Sequence, residues 1–346
     1  MIFRRVCFIL LLFLTACREA PAVLPAASPT PFTGQPRRVI IDTDMAGDDW
    51  MAILYLLQRP DITVEAITVA GTGEAHCEPG VRHAAGLVAL AGEPVIPIAC
   101  GRETPWQGTH AFPDSWRENV DHLYGLTLPE GTNATPGQDA AGLLTATIQA
   151  SPLRVTLITL GPLTNVAQAL QGIPSLVENL EMVYIMGGAV DVPGNIAISG
   201  VGIDNGTAEW NLYADPGAAK IVFESGLPIT LVPLDATNQV PITTAFYKLI
   251  KKGHATLEAT FVYDLLTSRM DFIESGGYFF WDPLTAAILT DESLAQFETR
   301  RLTVVDQEGP ESGRTRPDEN GAQVRVAVSA DAGRFEQAFL EALNAP

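Results

Sequence analysis

The sequence predicts an α/β fold in which a mostly parallel central sheet has helices on both faces. Short apolar runs of strand length alternate with amphipathic segments of helix length from residue 38 to the end of the chain. The runs are rich in Val and Ile, as is typical of parallel strands buried on both faces. The chain of 346 residues is long enough to bury a large core, and no repeat or break in composition follows residue 37. We therefore predict one domain over residues 38–346.

The elements can be assigned in chain order from these patterns. The predicted strands cover residues 39–41, 62–69, 95–99, 155–159, 182–186, 229–232, 302–305 and 324–328. Helices are predicted over residues 79–90, 140–149 and 216–224. Further helices are predicted to begin at residues 48, 163 and 332 and after residue 282. The segment that follows the strand at 229–232 is predicted to be helical through about residue 273. Residues 101–137 are rich in Gly, Pro, His and aromatic residues, which favours an irregular lid or pocket wall.

The charge balance excludes one class of partner. The chain has 21 basic and 40 acidic residues, a formal net charge of −19, and a hydrophobic content of 47% that is typical of globular proteins. Such a surface repels a phosphate backbone, so we predict no nucleic-acid partner. An uncharged small molecule is not repelled.

The N-terminus resembles a bacterial lipoprotein signal peptide. Arg4 and Arg5 precede an apolar stretch over residues 6–14 that is too short to span a bilayer. The stretch ends at Leu-Thr-Ala-Cys, which resembles a lipobox with cleavage before Cys17 and lipidation of its thiol. We therefore predict a signal peptide over residues 1–17, a Pro/Ala-rich tether over 18–37 and an extracytoplasmic, membrane-anchored protein. The alternative is an ordinary buried N-terminal segment.

Two cysteines remain when Cys7 is removed with the signal peptide and Cys17 is lipidated. These are Cys77 and Cys100. Their spacing leaves open whether they form a disulfide outside the cytoplasm. No Cys/His spacing typical of a metal site occurs.

Four aspartates surround the first predicted strand end and the helix start that follows it. Asp42 and Asp44 follow the strand, and Asp48 and Asp49 open the helix. A single Asp at a helix start is usually a cap. Four within eight residues, at the sheet edge where α/β proteins bind ligands, instead favour a hard divalent cation with oxygen ligands. A phosphatase of the Asp-x-Asp type would have Thr or Val where this chain has Ala46.

The pattern Asp42-x-Asp44-x-x-x-Asp48-Asp49 resembles the signature of the inosine–uridine nucleoside hydrolase family. Its members are calcium-dependent enzymes that cut the N-glycosidic bond of ribonucleosides, and they have a Rossmann-like nucleoside hydrolase fold. The usual signature has Pro-Gly after the second Asp, whereas this chain has Met45-Ala46 and its Gly at 47. The resemblance covers residues 38 to 345, with further motifs at later strand ends.

Two of these motifs are typical of turns when each is considered alone. Residues 159–165 (Thr-Leu-Gly-Pro-Leu-Thr-Asn) read as a strand end and helix start, but the resemblance implies that the Leu160 carbonyl binds calcium. Met186 alone would be a core residue and Asn195 a turn residue. The resemblance instead implies a substrate-binding set, which consists of Met186, Asn195, Glu209, Trp210 and Asn211. Within this set, Asn195, Glu209 and Asn211 are implied to bind the ribose hydroxyls. Residues 196–207 look like a flap beside it.

The segment at 281–284 (Trp-Asp-Pro-Leu) could be a simple helix cap with Pro in the first turn. The resemblance makes Asp282 a calcium ligand. Uridine-accepting members have His before this Asp, whereas this chain has Trp281, as is typical of the purine-specific (inosine–adenosine–guanosine) branch. Trp116 resembles the second base-stacking residue of that branch. A departure from the family lies at residues 71–76, where Glu74 and His76 stand near an expected Asn or Asp.

The resemblance implies a complete mechanism for purine nucleoside hydrolysis. Calcium is bound by the carboxylates of Asp44, Asp49 and Asp282 and by the Leu160 carbonyl. Asp44 is the general base toward a metal-bound water, Asp48 binds the ribose 2′-hydroxyl, and Asp42 orients the loop. A homodimer or homotetramer is implied as well. The alternatives are a nucleoside-binding lipoprotein without catalysis and a hydrolase of another N-riboside.

Overall fold

The computed structural model describes residues 34–93, 95–131 and 134–345. The predicted signal peptide, Cys17 and residues 18–33 of the tether lie outside these residues. In the described part of the chain, no helix is both long enough and apolar enough to cross a membrane.

One sheet runs through the described residues. Its strands are β1 (Arg37–Thr43), β2 (Ile62–Val69), β3 (Ile98–Cys100), β4 (Ala134–Asp139), β5 (Val155–Thr159), β6 (Leu180–Met186), β7 (Ile229–Val232), β8 (Ala295–Val304), β9 (Thr315–Pro317) and β10 (Ala322–Ala330). The order is β4-β3-β2-β1-β5-β6-β7-β10-β8-β9. All pairs are parallel except β10–β8 and β8–β9. The predicted mostly parallel sheet is therefore confirmed, with an antiparallel edge that was not predicted.

Helices cover both faces of this sheet. They are α1 (Gly47–Leu57), α2 (Cys77–Leu90), α3 (Asp114–Asp121), α4 (Ala140–Ala150), α5 (Thr164–Gly172), α6 (Trp210–Ala214), α7 (Pro216–Glu224), α8 (Leu234–Thr237), α9 (Thr244–Gly253), α10 (Leu257–Ser268), α11 (Met270–Glu274), α12 (Trp281–Thr290) and α13 (Ala332–Leu343). Val39 and Ile41 of β1 pack into one hydrophobic core, which includes α1, α2, α12 and α13. Ile40 packs into a second core with α4, α5 and α7. The alternation follows because successive strand side chains point to opposite faces.

The prediction of an irregular stretch over residues 101–137 is wrong in two places. Residues 114–121 form α3, a short and mostly polar helix that lacks the apolar periodicity of a longer one. Residues 134–139 form β4 even though they include Pro136 and Gly137. This strand lies at the edge of the sheet, where a Pro can be accommodated because one side of the strand needs no ladder hydrogen bonds.

A disulfide joins Cys77 to Cys100, with the two Cα atoms 5.5 Å apart. Cys77 is the first residue of α2 and Cys100 the last of β3, so the bond ties a helix start to a strand end. The loop over residues 71–76, which precedes Cys77, reaches the carboxyl end of β1, since Ala75 N donates to Asp44 O at 2.9 Å. The disulfide therefore restrains a loop that contacts the first strand end.

Replacing both cysteines by serine is expected to lower the free energy of unfolding by about 3 kcal/mol, because the cross-link restricts the unfolded chain. Chemical denaturation of the residue-18-to-346 protein measures this loss. Treatment of the wild type with a reductant should reproduce it, and the double variant should not respond to reductant. Equal stability of the oxidised wild type and the variant would contradict the expectation.

Candidate active site

The candidate site is a cavity of about 800 Å³ at the carboxyl ends of the parallel strands. It lies beside the point where the chain order reverses, since β1 pairs with β2 on one side and with β5 on the other. Ligands of open α/β sheets bind at such switch points because the loops from the two neighbouring strands diverge there. The cavity includes seven carboxylate residues, which are Asp44, Asp48, Asp49, Glu74, Glu209, Asp271 and Asp282.

The turn between β1 and α1 is built around Asp49. Its Oδ1 accepts hydrogen bonds from Thr43 Oγ1 and, at 3.1 Å, from Asp44 N. Its Oδ2 accepts from Ala46 N at 3.0 Å. Met45 lies between them with a φ of 61°, and its carbonyl accepts from Trp50 Nε1 at 2.7 Å. A left-handed, fully buried Met is uncommon, and the hydrogen bonds on both sides of it hold this conformation.

Asp44 is held at the floor of the cavity. Its Oδ1 accepts from Ala46 N at 3.4 Å and its Oδ2 from Glu74 N at 3.3 Å. The Gly of the β5 strand end packs directly against it, because a Cβ on Gly161 would lie 2.6 Å from the Asp44 Cβ. The glycine in the 159–165 segment is therefore required for the close approach of β5 to this carboxylate.

Asp282 completes an acidic cluster with Asp48 and Asp49. One carboxylate oxygen from each of the three lies within 4.8 Å of the other two. Asp282 is buried at the start of α12, and its Oδ1 has no hydrogen-bond partner among the described residues. An unpartnered buried carboxylate oxygen is costly unless a cation or proton binds to it.

Burial sets the electrostatics of this cluster. Desolvation raises the pKa of Asp48 to about 8, with added repulsion from Glu74 and Asp44. It raises the pKa of Asp49 to about 7, with added repulsion from Asp48. The pKa values of Asp44 and Asp282 lie well above the ordinary carboxyl range for the same reason, with Asp49 as the main repelling neighbour. The carboxylate oxygens converge, and burial and mutual repulsion oppose their ionisation when no cation is bound. Such a cluster is suited to bind a hard divalent cation.

Asp42 lies behind this cluster and does not line the cavity. Its Oδ1 accepts from Thr68 Oγ1 at 2.5 Å and from Asn165 Nδ2 at 2.8 Å. The carboxylate therefore links β1 to β2 and to the start of α5. Burial raises its pKa to about 7, although these two hydrogen bonds oppose the shift.

The predicted carbonyl ligand and two predicted ribose contacts come together at the ends of β5 and β6. Asn211 Nδ2 donates to the carbonyl of Leu160 at 3.1 Å and to that of Met186 at 3.3 Å. A carbonyl oxygen has two lone pairs, so Leu160 retains one acceptor position. All three residues line the cavity.

Glu209 and Asn195 lie beside them. Glu209 caps α6, with Oε1 accepting from Asn211 N at 2.9 Å and Oε2 from Gly188 N at 3.0 Å. Burial raises the pKa of Glu209 to about 7, against the effect of these backbone donors. Asn195 Oδ1 accepts from Trp210 N at 3.2 Å. These contacts position the α6 segment against the cavity, and the predicted flap adds the exposed Ile198 to the lining.

Two groups of aromatic side chains line the cavity. Trp116 on α3 lies 5.2 Å from the Trp210 ring, which in turn stacks on Phe112 at 5.1 Å. The second group surrounds Trp281 at the start of α12 and consists of Phe272, Tyr278 and Phe279, with ring centroids 5.7–6.4 Å from it. The structure thus brings Trp116, Trp210 and Trp281 to one cavity.

The structure gives different positions to Glu74 and His76, the two residues of the 71–76 loop whose roles the sequence did not decide. Glu74 lines the cavity, and burial raises its pKa to about 8, with added repulsion from Asp44. His76 pairs instead with Asp121 at 2.6 Å, and it does not line the cavity.

Sequence reasoning missed Tyr124, Arg269 and Tyr278, which also line the cavity. Tyr124 belongs to the stretch predicted to be irregular, and Arg269 follows the last residue of α10. Neither Tyr124 nor Arg269 belongs to a recognisable sequence motif, so only the folded structure shows that they lie at the site.

Comparisons with known proteins agree with this geometry. A family model described as inosine-uridine preferring nucleoside hydrolase matches residues 39–337. A probable uridine nucleosidase 1 of Oryza sativa subsp. japonica is 29% identical over 286 residues, which are 82% of this chain and 85% of that protein. The pyrimidine-specific ribonucleoside hydrolase RihA of Salmonella agona (strain SL483) is 31% identical over 285 residues, 78% of this chain and 88% of its own.

Two solved structures are similar over their whole length. The inosine-uridine preferring nucleoside hydrolase from Bacillus anthracis has a TM-score of 0.79 and 25% identity, and the match covers 90% of this chain and 100% of that one. The purine-preferring ribonucleoside hydrolase from Gardnerella vaginalis has a TM-score of 0.77 and 25% identity, covering 89% of this chain and 98% of that one.

Proposed function

The chain belongs to the inosine–uridine preferring nucleoside hydrolase family, and we propose that this member hydrolyses purine ribonucleosides with the help of a bound calcium ion. Hydrolysis of a ribonucleoside N-glycosidic bond follows from the family. The metal, the base preference and the roles of individual residues are our proposal. The observation that supports it most is the cluster of Asp48, Asp49 and Asp282, in which Asp49 and Asp282 are buried and one Asp282 oxygen has no hydrogen-bond partner among the described residues.

The residues proposed to hold the cation are Asp44, Asp49, Asp282 and the carbonyl of Leu160. When bound, the cation supplies positive charge that offsets the buried carboxylates and increases the acidity of a water molecule beside it. Calcium is proposed because it prefers six to eight oxygen ligands in flexible geometry, and carboxylate and carbonyl oxygens are the donors this cavity offers.

The chain's own residues bind the sugar and accept a proton. Asp44, fixed by the Ala46 and Glu74 amides, accepts the proton of the water that attacks the anomeric carbon. Asp48 binds the 2′-hydroxyl, while Asn195, Glu209 and Asn211 bind the other ribose hydroxyls. The surrounding carboxylates stabilise the positive charge that develops on the sugar as the bond breaks. The departing base takes up a proton from the solvent, Asp44 returns its proton to the solvent, and the products are ribose and the free base.

The preference for purines rests on the aromatic lining. Each base–aromatic stack stabilises a bound base by roughly 1–3 kcal/mol, and a purine offers the larger surface. Trp116 and Trp281 contribute from separate elements, α3 and α12, to the same cavity. The names of the relatives differ on this point, since those from rice and Salmonella are for uridine or pyrimidine and that from Gardnerella is for purine.

An extracytoplasmic location is part of the proposal and rests on residues 4–17 alone. In this interpretation Cys17 is lipidated and anchors the enzyme to a bacterial membrane. Incorporation of labelled fatty acid into the wild type, and its loss in Cys17→Ser, is the expected result.

The proposed function is tested by measuring ribose release from inosine, adenosine, guanosine, uridine and cytidine with the protein that lacks residues 1–17. Cleavage of the purine nucleosides, lost on chelation and restored by calcium, is expected. Cleavage of uridine with equal efficiency would contradict the purine preference and leave hydrolysis intact. Tight binding without ribose release would contradict hydrolysis and favour a nucleoside-binding lipoprotein.

Calcium is expected to stabilise the protein more at high pH than at low pH. The folded pKa values of Asp48 and Asp49, about 8 and 7, exceed the ordinary value of 3.8. The metal-free folded state therefore binds more protons than the unfolded chain between about pH 4 and pH 8, and its stability falls as the pH rises through this interval. Calcium offsets the same charge, so the gain it provides should grow toward pH 8, where about 2.7 kcal/mol is expected at roughly 100 times its dissociation constant.

Thermal unfolding with chelator and with calcium, at pH 5 to 9, measures this gain. Asp48→Asn should weaken the pH dependence of the metal-free curve, because it removes one of the shifted carboxyls. A calcium-dependent rise in Tm that is constant over this range would contradict the expectation.

A further inference from the structure

We propose that Arg269 recognises the purine base through its O6 and N7 acceptors, and that this enzyme therefore favours 6-oxopurine nucleosides, inosine and guanosine, over adenosine. The inference rests on the proposed function, because it names a residue that selects among the substrates of the same cavity. No sequence motif includes Arg269, and its role follows from its place in the fold.

Arg269 is the only basic residue among the described residues that line the cavity, where seven carboxylates are present. The side chain is half-buried at the end of α10. Its guanidinium forms no salt bridge within 4.0 Å with any carboxylate of the described residues. A cation in an acidic cavity without a direct ion-pair partner has hydrogen-bond donors available for a ligand.

Two aromatic rings hold the guanidinium in place. It lies 4.4 Å from the centroid of Tyr124 and 5.3 Å from that of Phe272. Phe272 belongs to the aromatic group around Trp281, at 6.4 Å. Arg269 is therefore next to the side of the cavity where Trp281 would stack the base, and cation–π contacts keep its donors oriented.

The position of Tyr124 is maintained by an unusual turn. Leu123 and Tyr124 both have left-handed backbone, with φ values of 53° and 49°, and Gly125 follows with φ of 81°. Consecutive non-glycine residues in this region are strained, and such strain persists only where surrounding contacts enforce it. The turn places the Tyr124 ring against Gly47, where an added Cβ would lie 3.2 Å from it, and beneath Arg269. This strained turn thus fixes the platform on which the guanidinium rests.

The donor pattern of arginine discriminates among the bases. A guanidinium presents two parallel N–H groups, and a 6-oxopurine presents two acceptors, O6 and N7, at matching spacing. Adenine has an amino group at position 6, which would bring a donor against the donors of Arg269. A phosphate-bearing substrate would also attract an arginine, but seven carboxylates around one cation favour a neutral ligand with an acceptor edge.

The test compares Arg269→Gln with the wild type on inosine, guanosine, adenosine and p-nitrophenyl riboside, whose leaving group has no purine edge. The substitution should lower kcat/KM for inosine and guanosine by about 10- to 100-fold, the range expected for a bidentate arginine–base pair. Adenosine and p-nitrophenyl riboside should change by less than about 3-fold, because neither makes the pair. Arg269→Lys, which keeps the charge and loses the fork, should give an intermediate loss. The matched control is Asp264→Asn, which changes an exposed carboxylate of α10 that does not line the cavity and should leave the inosine-to-adenosine ratio unchanged.

A binding measurement provides a readout that does not depend on turnover. In the presence of chelator, hypoxanthine should quench the tryptophan fluorescence of the wild type at lower concentrations than adenine, and this difference should disappear in Arg269→Gln. Equal losses on all four substrates would overturn the inference and assign Arg269 to packing against Tyr124. Unchanged inosine cleavage would overturn it as well. A wild type that releases ribose from no nucleoside would instead overturn the proposed function.

Discussion

Replacing Asp44 by Asn is expected to lower kcat on inosine by at least about 10³-fold while the protein stays folded. The carboxylate lies at the cavity floor between the Ala46 and Glu74 amides, and the proposed mechanism gives it the proton of the attacking water. Stability should not suffer, because burial and the neighbouring Asp49 already raise the pKa of Asp44 and make its charge unfavourable without a cation. Steady-state kinetics and thermal unfolding in chelator measure the two effects.

The control for this substitution is Asp264→Asn, which changes an exposed carboxylate on α10. It should keep wild-type kcat and stability. Activity of Asp44→Asn within about 10-fold of the wild type would remove Asp44 from the role of general base.

Replacing Asp282 by Asn is expected to lower kcat/KM by at least about 100-fold and to abolish the stabilisation by calcium. The unpartnered Oδ1 of Asp282 is the clearest vacant acceptor of the acidic cluster in the described chain, and an amide supplies a weaker, uncharged ligand. The substitution also removes repulsion from Asp49 and Asp48, so the variant should unfold at a higher temperature than the wild type in chelator. Reduced activity with increased metal-free stability is a combination that general damage to the fold does not produce.

Asp271→Asn is the matched control, since Asp271 also lines the cavity but is exposed. Its response to calcium should equal that of the wild type. If Asp282→Asn kept a full calcium-dependent rise in Tm, the cation site would have to exclude Asp282.

Much of this fold was predictable because its signals are local. β2, β5, β7 and α7 begin and end at the residues that the apolar periodicity and the flanking turn residues predict. The four aspartates at residues 42–49 lie at the end of β1 or directly after it, so the strand brings them to one edge of the sheet. The antiparallel β8 and β9 were harder to predict, because apolar patterning does not report strand direction.

The candidate site could be predicted only where it follows strand ends. Trp281 and Asp282 are adjacent in sequence, so one motif indicates both. Glu74, Tyr124 and Arg269 come from three separate loops and helix ends, and nothing in their local sequence shows that they meet. Their proximity depends on long-range packing, including the left-handed turn at Leu123–Gly125.

The left-handed conformation of Met45 restricts how this chain can be engineered. The family signature usually has Pro at this position, and substitutions toward a family consensus often stabilise proteins. Here Pro is incompatible, because its ring fixes φ near −65° whereas Met45 has a φ of 61°. The consensus substitution Met45→Pro would therefore disrupt the turn, although this position belongs to the family signature. The segment from Thr43 to Trp50 has to be exchanged between homologues as one unit, with its own hydrogen bonds, and not residue by residue.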